Sequence, residues 1–488
     1  MISRLLFVCL LIVSLGGLAC EKRSLEAREE HVLNRIGYGP DAWSRQRIRQ
    51  LGIKGYIEEQ LYPSRLDDSA LEARLRNYYP SLGMNLPQLV SRYDSSTAGR
   101  NRTQPRVDAA RARILRAVHS KRQLEQVLVE FWYNHFNVDA RREIAQWAVI
   151  PYERDVIRPR VLGRFEDLLR AVARHPAMLD YLDNAQNFRD GFVLGRDTWG
   201  INENFARELL ELHTVGNAGQ DLDDIRATAR AFTGWTIADD LLGLDGRGFQ
   251  FLSAGHDTSE KHILTLSLRA GGGLSDGDTL IHYLANHPYT AVNIARKLCT
   301  RFVSEKESSC VTKAAVRFLS SGGNLREVMR EILLSDEFLE ARDFRGKVKR
   351  PLHAIASLAR AVGVGDDRTF AHTAFAELSI MGEEPFGAGP PDGWPDDSSA
   401  WLGEGLLLRR FEMAYRATAG SWGFAPLRPI SSTNPQTVLD TILQRVLPGG
   451  VSSAMRSELL RFLNGIPPAG RLQEGTALVL SGPDFAHH

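Results

Sequence analysis

Cysteine is scarce, with four in 488 residues, and neither a CxxC pair nor a Cys/His alternation of the kind that holds structural zinc occurs. A zinc-built fold is excluded. The HExxH pair of zinc proteases is missing too. No GxSxG elbow is present and no serine stands beside a convincing base, so serine nucleophile chemistry has no support. Nucleotide fingerprints are absent, because GGGL at 271–274 follows a β-prone stretch but completes neither GxGxxG nor GxxxxGK[ST] and reads as a flexible turn. An excess of one charge is also lacking: 60 Lys plus Arg face 59 Asp plus Glu, which gives no global pull toward nucleic acid. Basic density does rise between Arg92 and Arg122, in RNRTQPR and RARILRAVHSKR. Without interleaved aromatics it reads as a solvated helix face, and no nucleic-acid partner is expected. There is no repeat of solenoid period and no low-complexity tract in the body of the chain.

The first residues carry an address. Arg4 precedes an apolar run, Leu5 to Leu15, followed by Gly16-Gly17-Leu18-Ala19 and Cys20. The run is shorter than the about 20 residues of a membrane span, and the pattern is a secretion signal over 1–19. Ala19 suits ordinary cleavage. Leu18-Ala19-Cys20 also resembles a bacterial lipobox, although its leucine stands one residue later than usual, and this favours a lipid anchor at Cys20 in the cell envelope. Glu21 follows, with no aspartate to suggest inner-membrane retention. Cys9 leaves with the signal, so Cys299 and Cys310 are the two left in the mature body. In an oxidising compartment they suggest one disulfide across KLCTRFVSEKESSC; two separate buried thiols are the alternative.

With 43% hydrophobic residues the chain has material for a sizeable core. Apolar residues at helical spacing, punctuated by Gly and Pro, fill most of it. The spacing predicts helices near 25–36, 41–61, 104–118, 122–136, 141–157, 163–174, 201–215, 221–233, 276–286, 289–303, 311–320, 324–335, 346–363 and 400–416. The fold class is therefore mainly α: a large multi-helical domain over 20–429, then a helical appendage over 430–488 after the proline- and hydroxyl-rich LRPISSTNPQT. Between 247 and 268, GFQFLS and KHILTLSL flank AGHDT and read as a small β-hairpin excursion. Pro390, Pro391 and Pro395 keep 382–399 out of a helix and make it an ordered loop or an aromatic-anchored cover.

Seven motifs occur in order: FWYNHF (131–136), RDVIRPRVLGRFEDLL (154–169), HPAMLDYLDN (175–184), NENFARELLELHTVG (202–216), DIRATARAFTGW (224–235), HDTSEK (256–261) and PPDGWP (390–395). Together they resemble the bacterial domain-of-unknown-function family numbered 1800 over nearly all the mature chain. The resemblance implies a secreted, helix-rich protein, often encoded beside a sulfatase-like or phosphatase-like envelope protein, which is the partner it suggests. It implies no reaction.

The chemistry must come from the residues. On a helix of about 100° per residue, NENFARELLELHTVG places Glu203, Asn204, Arg207, Glu208 and Glu211 in one polar sector, with Gly216 as C-cap and His213 at the negative end of the dipole. Glu203, Arg207 and Glu211 stand four apart and can pair along the helix. Glu208 has no such partner and is the candidate reactive member. On a straight helix His213 lies about 140° away from it, so these two are not expected to share an ion. His135 continues the apolar stripe Val127–Phe131 and points inward; as structure it is a core histidine bonded to a carbonyl, as chemistry a ligand or base, with Asn134 beside it as cap or hydrogen-bond partner. His256 and Asp257 sit in a turn. There Asp257 can simply close an Asx-turn with His256 exposed, or the pair can cover a pocket holding His135 and Glu208. The expected site is thus catalytic His135, Glu208, His256 and Asp257. A divalent ion held by His135, Glu208 and His256 is possible chemistry, and Lys261 can meet an anionic group. Two functions follow: an envelope enzyme acting on an extracellular polymer or a partner protein, or a non-catalytic scaffold whose polar motifs are buried pairing networks.

Overall fold

The computed structural model describes residues 24–93, 101–142, 144–217, 219–238, 248–306 and 308–488. The expected signal and Cys20 lie outside the described residues. Helices dominate, as the apolar spacing requires, and they begin where side chains satisfy orphan amides. At α1 (Leu25–Arg35) the Ser24 side chain accepts from the Ala27 amide. α2 (Ala42–Gln60) opens with a reciprocal box between Asp41 and Ser44, and is interrupted at Gly52, whose φ of 68° and ψ of 166° are not helical.

α3 (Gln104–His119) and α4 (Gln123–His135) lie at the centre. In α4 Leu124, Val127, Leu128 and Trp132 are fully buried, and polar Gln123, Glu130 and His135 are buried with them. A helix covered on nearly every side belongs to the interior of a large protein.

The β structure among the described residues consists of three antiparallel pairs. β1 (Phe192–Leu194) pairs with β2 (Asp197–Trp199), a hairpin the sequence reading did not contain. The expected excursion at 247–268 exists, but its two runs do not pair with each other. β3 (Trp235–Ile237) takes β4 (Phe249–Phe251), while β5 (Lys261–Ile263) and β6 (Leu266–Leu268) close on a two-residue turn. Leu264 at that turn has φ of 53°.

α5 (Asn204–Glu208) runs straight into a π-helical turn, Leu209–His213. α6 (Leu222–Ala231), α7 (Leu274–Ala285), α8 (Pro288–Phe302) and α9 (Cys310–Ser320) follow. The expected disulfide is present: Cys299 on α8 and Cys310 on α9 are joined, with Cα atoms 6.0 Å apart. α10 (Pro351–Val362) packs on α3, and α11 (Glu404–Thr418) packs on α10. After the non-helical stretch 425–434, α12 (Pro435–Val446) and α13 (Arg471–Ser481) pack against one another and α13 against α11. The chain then returns to the main body, where Val348 and His487 form an antiparallel bridge. No helix among the described residues is long and apolar enough to cross a membrane.

Candidate functional site

Three of the motifs meet at the C-terminal end of α4. The first contact is the cover. Asn134 donates to the Trp394 carbonyl at 2.8 Å and accepts from the Trp394 amide at 2.8 Å. Asn137 donates to the carbonyls of Ala388 and Pro390, and the Tyr181 hydroxyl to that of Gly389. PPDGWP is thus latched onto FWYNHF by side-chain amides that occupy backbone groups the prolines leave without sheet or helix partners. Gly393 is required there: its φ is 76°, and a Cβ would sit 2.5 Å from the Asn134 amide oxygen. The loop Gly382–Ser399 is an ordered, aromatic-anchored cover, with the Trp401 indole bonded to the Pro395 carbonyl.

The second contact is the end of NENFARELLELHTVG. Gly216 has the left-handed φ of 74° expected of a cap, and its amide reaches the Leu210 carbonyl at 3.0 Å. The straight-helix geometry expected here is not what the chain adopts. Five residues close a π turn where four close an α turn, so the angle that separated Glu208 from His213 does not hold. The π turn leaves its last carbonyls facing inward, and side chains from elsewhere satisfy them. His135 Nε2 donates to the His213 carbonyl at 3.2 Å and Asn293 to the Thr214 carbonyl at 2.8 Å. Lys297 Nζ donates to the Leu212 carbonyl at 3.0 Å and lies 3.2 Å from His135 Nδ1. His135 is therefore a buried histidine bonded to a carbonyl, with a lysine on its other nitrogen.

Burial and the neighbouring ammonium hold His135 neutral, far below the ordinary histidine range. The same two causes push His213 down to about 3. It sits 1% exposed against Phe136 with no hydrogen bond to its ring among the described residues, and it is not the dipole-compensating cation that its place in the last turn suggested. Lys297 is itself desolvated, which lowers its amine to about 8 even though the Asp392 carboxylate favours its charge.

Glu203, Arg207 and Glu211 form the expected ladder, at 3.7 and 3.6 Å. Glu208 makes no hydrogen bond or ion pair among the described residues. Partial burial, then Glu211 and the Asp392 carboxylate across the site, raise its pKa above the usual carboxylate value, and Arg207 only partly offsets them. Asp392, in the middle of PPDGWP, likewise has no bonded partner among the described residues and is exposed. Asp392 is thus within electrostatic reach of both Glu208 and Lys297, and the Lys297 amine stands against His135.

His256 and Asp257 are placed in a different cluster and share no bonded partner with His135 or Glu208 among the described residues. His256 is 2% exposed rather than solvent-facing. Its Nδ1 donates to the Thr233 carbonyl at 2.8 Å and its Nε2 faces Asp276 at 3.2 Å. Lys261 is fully buried, with its ammonium on Asp276 at 2.8 Å and on the carbonyls of Asp257 and Ser259. Its donors are occupied within the turn. Asp257 closes an Asx-turn onto the Ser259 amide at 2.9 Å and pairs with Arg230 at 2.8 Å. Burial opposes its ionisation, but the arginine and the serine outweigh it and hold its carboxyl well below the ordinary range. Among the described residues no three His, Cys, Asp or Glu side chains are grouped to hold a metal ion, so His135, Glu208 and His256 do not form one ligand set. The cover over α4 is PPDGWP, not HDTSEK.

Sequence reasoning passed over Lys297 and Asp392. A signal for the first was present: Asn293, Lys297 and Arg301 recur every four residues on a helix whose other positions, Ile294, Ala295, Leu298 and Phe302, are apolar. Asn293 and Lys297 reach the end of the π turn, while Arg301 faces Glu130 at 3.9 Å. Asp392 carried no signal beyond its place in a proline-rich loop.

The family model for proteins of unknown function, DUF1800, matches residues 31–487. The chain belongs to that family. Comparison with curated proteins and with solved structures finds no match.

Proposed function

We propose that the protein is an exported cell-envelope enzyme working by acid–base chemistry at Glu208, Asp392 and Lys297, on an extracellular polymer or a partner protein. The observation that carries this reading is one carboxylate, Asp392, within electrostatic range of both Glu208 and Lys297, with neither Asp392 nor Glu208 bonded to a partner among the described residues. A structural network pairs its charges, whereas a reactive site keeps some unpaired and shifts their pKa values toward the working pH. Glu208, held protonated further up the pH scale than an ordinary carboxylate, supplies a proton. Lys297, ionising at about 8, binds anionic charge or accepts a proton. His135 is a positioning residue that fixes the lysine amine. The Cys299–Cys310 disulfide supports export, and the reading includes a lipid tether at Cys20 and a sulfatase- or phosphatase-like envelope partner.

The alternative, a non-catalytic scaffold, is favoured by HDTSEK, whose polar groups are used up in pairing. The two separate on one assay. Mature protein is incubated with isolated cell-wall polymer and envelope proteins, and new reducing ends, free amines and released phosphate or sulfate are measured. Turnover in the wild type that is lost in Glu208→Gln, with unchanged melting, is the expected result. Wild-type and Glu208→Gln samples indistinguishable on every substrate would leave the scaffold.

A further inference from the structure

A cleft lined by none of the residues of that site arises from a glycine. Gly52 breaks α2 with a left-handed φ of 68°, and nothing lies within 4 Å of where its Cβ would be. The break is conformational rather than steric. It folds the second arm of the helix back on the first, and the Arg47 guanidinium of the first arm holds the Glu59 carboxylate of the second through Nε, at 2.9 and 3.1 Å. Between the arms, closed by 65–67 and Lys121, lies a cavity of about 300 Å³. That is the lower end of the size range of small-molecule sites.

Its lining is amphipathic in a particular way. Trp43 gives one partly buried apolar wall. Gln46 and Gln50 bring exposed amides, each both donor and acceptor. Glu59 adds acceptors on a carboxylate already fixed by Arg47. Two cations line the mouth without an ion-paired carboxylate among the described residues: Lys121, and Arg65, whose guanidinium is 4.2 Å from the Tyr62 ring centre. Asp67, the remaining acid, accepts from the Ser69 amide at 2.9 Å and lies within electrostatic reach of Lys121, which leaves Arg65 as the cation with no acid set against it among the described residues.

A flat apolar wall wants a flat apolar face, amides want several hydroxyl groups, and two cations with no carboxylate at bonding distance want one. A pyranose ring bearing a carboxylate meets all three demands at once. We propose that the Gly52 cleft is a binding site for acidic saccharides of the uronic-acid class, with Trp43 stacking on the sugar face and Arg65 with Lys121 taking the carboxylate. The inference stands apart from the catalytic reading.

The test is calorimetric titration of the full mature chain, in the Glu208→Gln background so that turnover plays no part. The probes are an oligomer of galacturonic acid and its carboxyl-reduced, neutral counterpart. Saturable binding of the acidic oligomer is expected, weakened at least about tenfold by Trp43→Ala and largely retained in Trp43→Phe. Arg65→Gln with Lys121→Gln is expected to erase the preference for the acidic over the neutral oligomer, which also keeps the test open if Trp43→Ala does not fold. No saturable heat with either oligomer, equal affinity of the wild type for both, or unchanged affinity in the tryptophan and cation variants would each overturn the proposal.

Discussion

The motif cluster around HDTSEK and the one beneath PPDGWP are built from the same residue types, and differ in how their charges end. In the first, Lys261 and Asp276 are wholly buried 2.8 Å apart, His256 and Arg230 complete the set, and carbonyls take the remaining protons. In the second, Glu208 and Asp392 are bonded to no other described residue, and a lysine donates mainly to a helix terminus. Polar residue types in a motif do not distinguish structure from chemistry; the state of their partners does. A closed network is expensive to open, while an open one tolerates substitution and invites a ligand.

That contrast gives measurable differences, and the largest belongs to the closed cluster. Lys261→Met removes one member of a fully buried pair and leaves Asp276 with the imidazole alone; a loss of about 3–5 kcal/mol is expected in urea denaturation. A loss no greater than that of Glu208→Gln would erase the distinction between the clusters. Next comes the staple beside the open cluster: replacing Cys299 and Cys310 by serine is expected to cost about 3 kcal/mol in the chain-entropy picture, read from the same unfolding curves. Gly393→Ala meets Asn134 head on and is expected to lose roughly 1–3 kcal/mol. Hydrogen exchange should localise it, with the Trp394 amide opening faster while the α4 amides keep their protection.

The pH dependence is gentler. The folded-state pKa of Lys297, about 8, lies below its ordinary 10.5. Below pH 8 both states carry the proton and folding bears the full penalty of burying it. Between about 8 and 10.5 the unfolded chain binds the extra proton, so this group makes stability rise with pH across that window. Competitive acylation of Lys297 with a half-point near 8 is expected, against above 10 for surface lysines. Smallest of all, Glu208→Gln should leave stability within about 0.5 kcal/mol, since none of the described residues is bonded to it. A large loss would return Glu208 to the structural side of the comparison.

Local rules account for what was legible in the chain. The i,i+4 ladder of Glu203, Arg207 and Glu211, the solitary Glu208, the cap at Gly216 and the pairing of Cys299 with Cys310 all follow from short spacings or from counting. The mainly helical class followed from periodicity, and the two rules that failed were also local. A uniform angular step cannot anticipate a π turn, whose carbonyls are satisfied by Asn293, Lys297 and His135 from distant helices. Likewise the β-prone runs at 247–268 do not pair with each other: one takes Trp235–Ile237, and the other closes on its own second half. Which loop covers which helix is a matter of long-range contact. No short-range rule sets His256 beside His135, and HDTSEK spends its polar groups on Thr233, Arg230 and Asp276 instead.

The disulfide lies two residues beyond Lys297 on α8, so the same helix carries both the amine and the staple that fixes its far end to α9. A chain with the two thiols reduced has the amine without the staple. Closing the bond ties the part of the helix that carries Lys297 to α9 as well as to the π turn, so the redox state of two thiols bears on how firmly the amine is held.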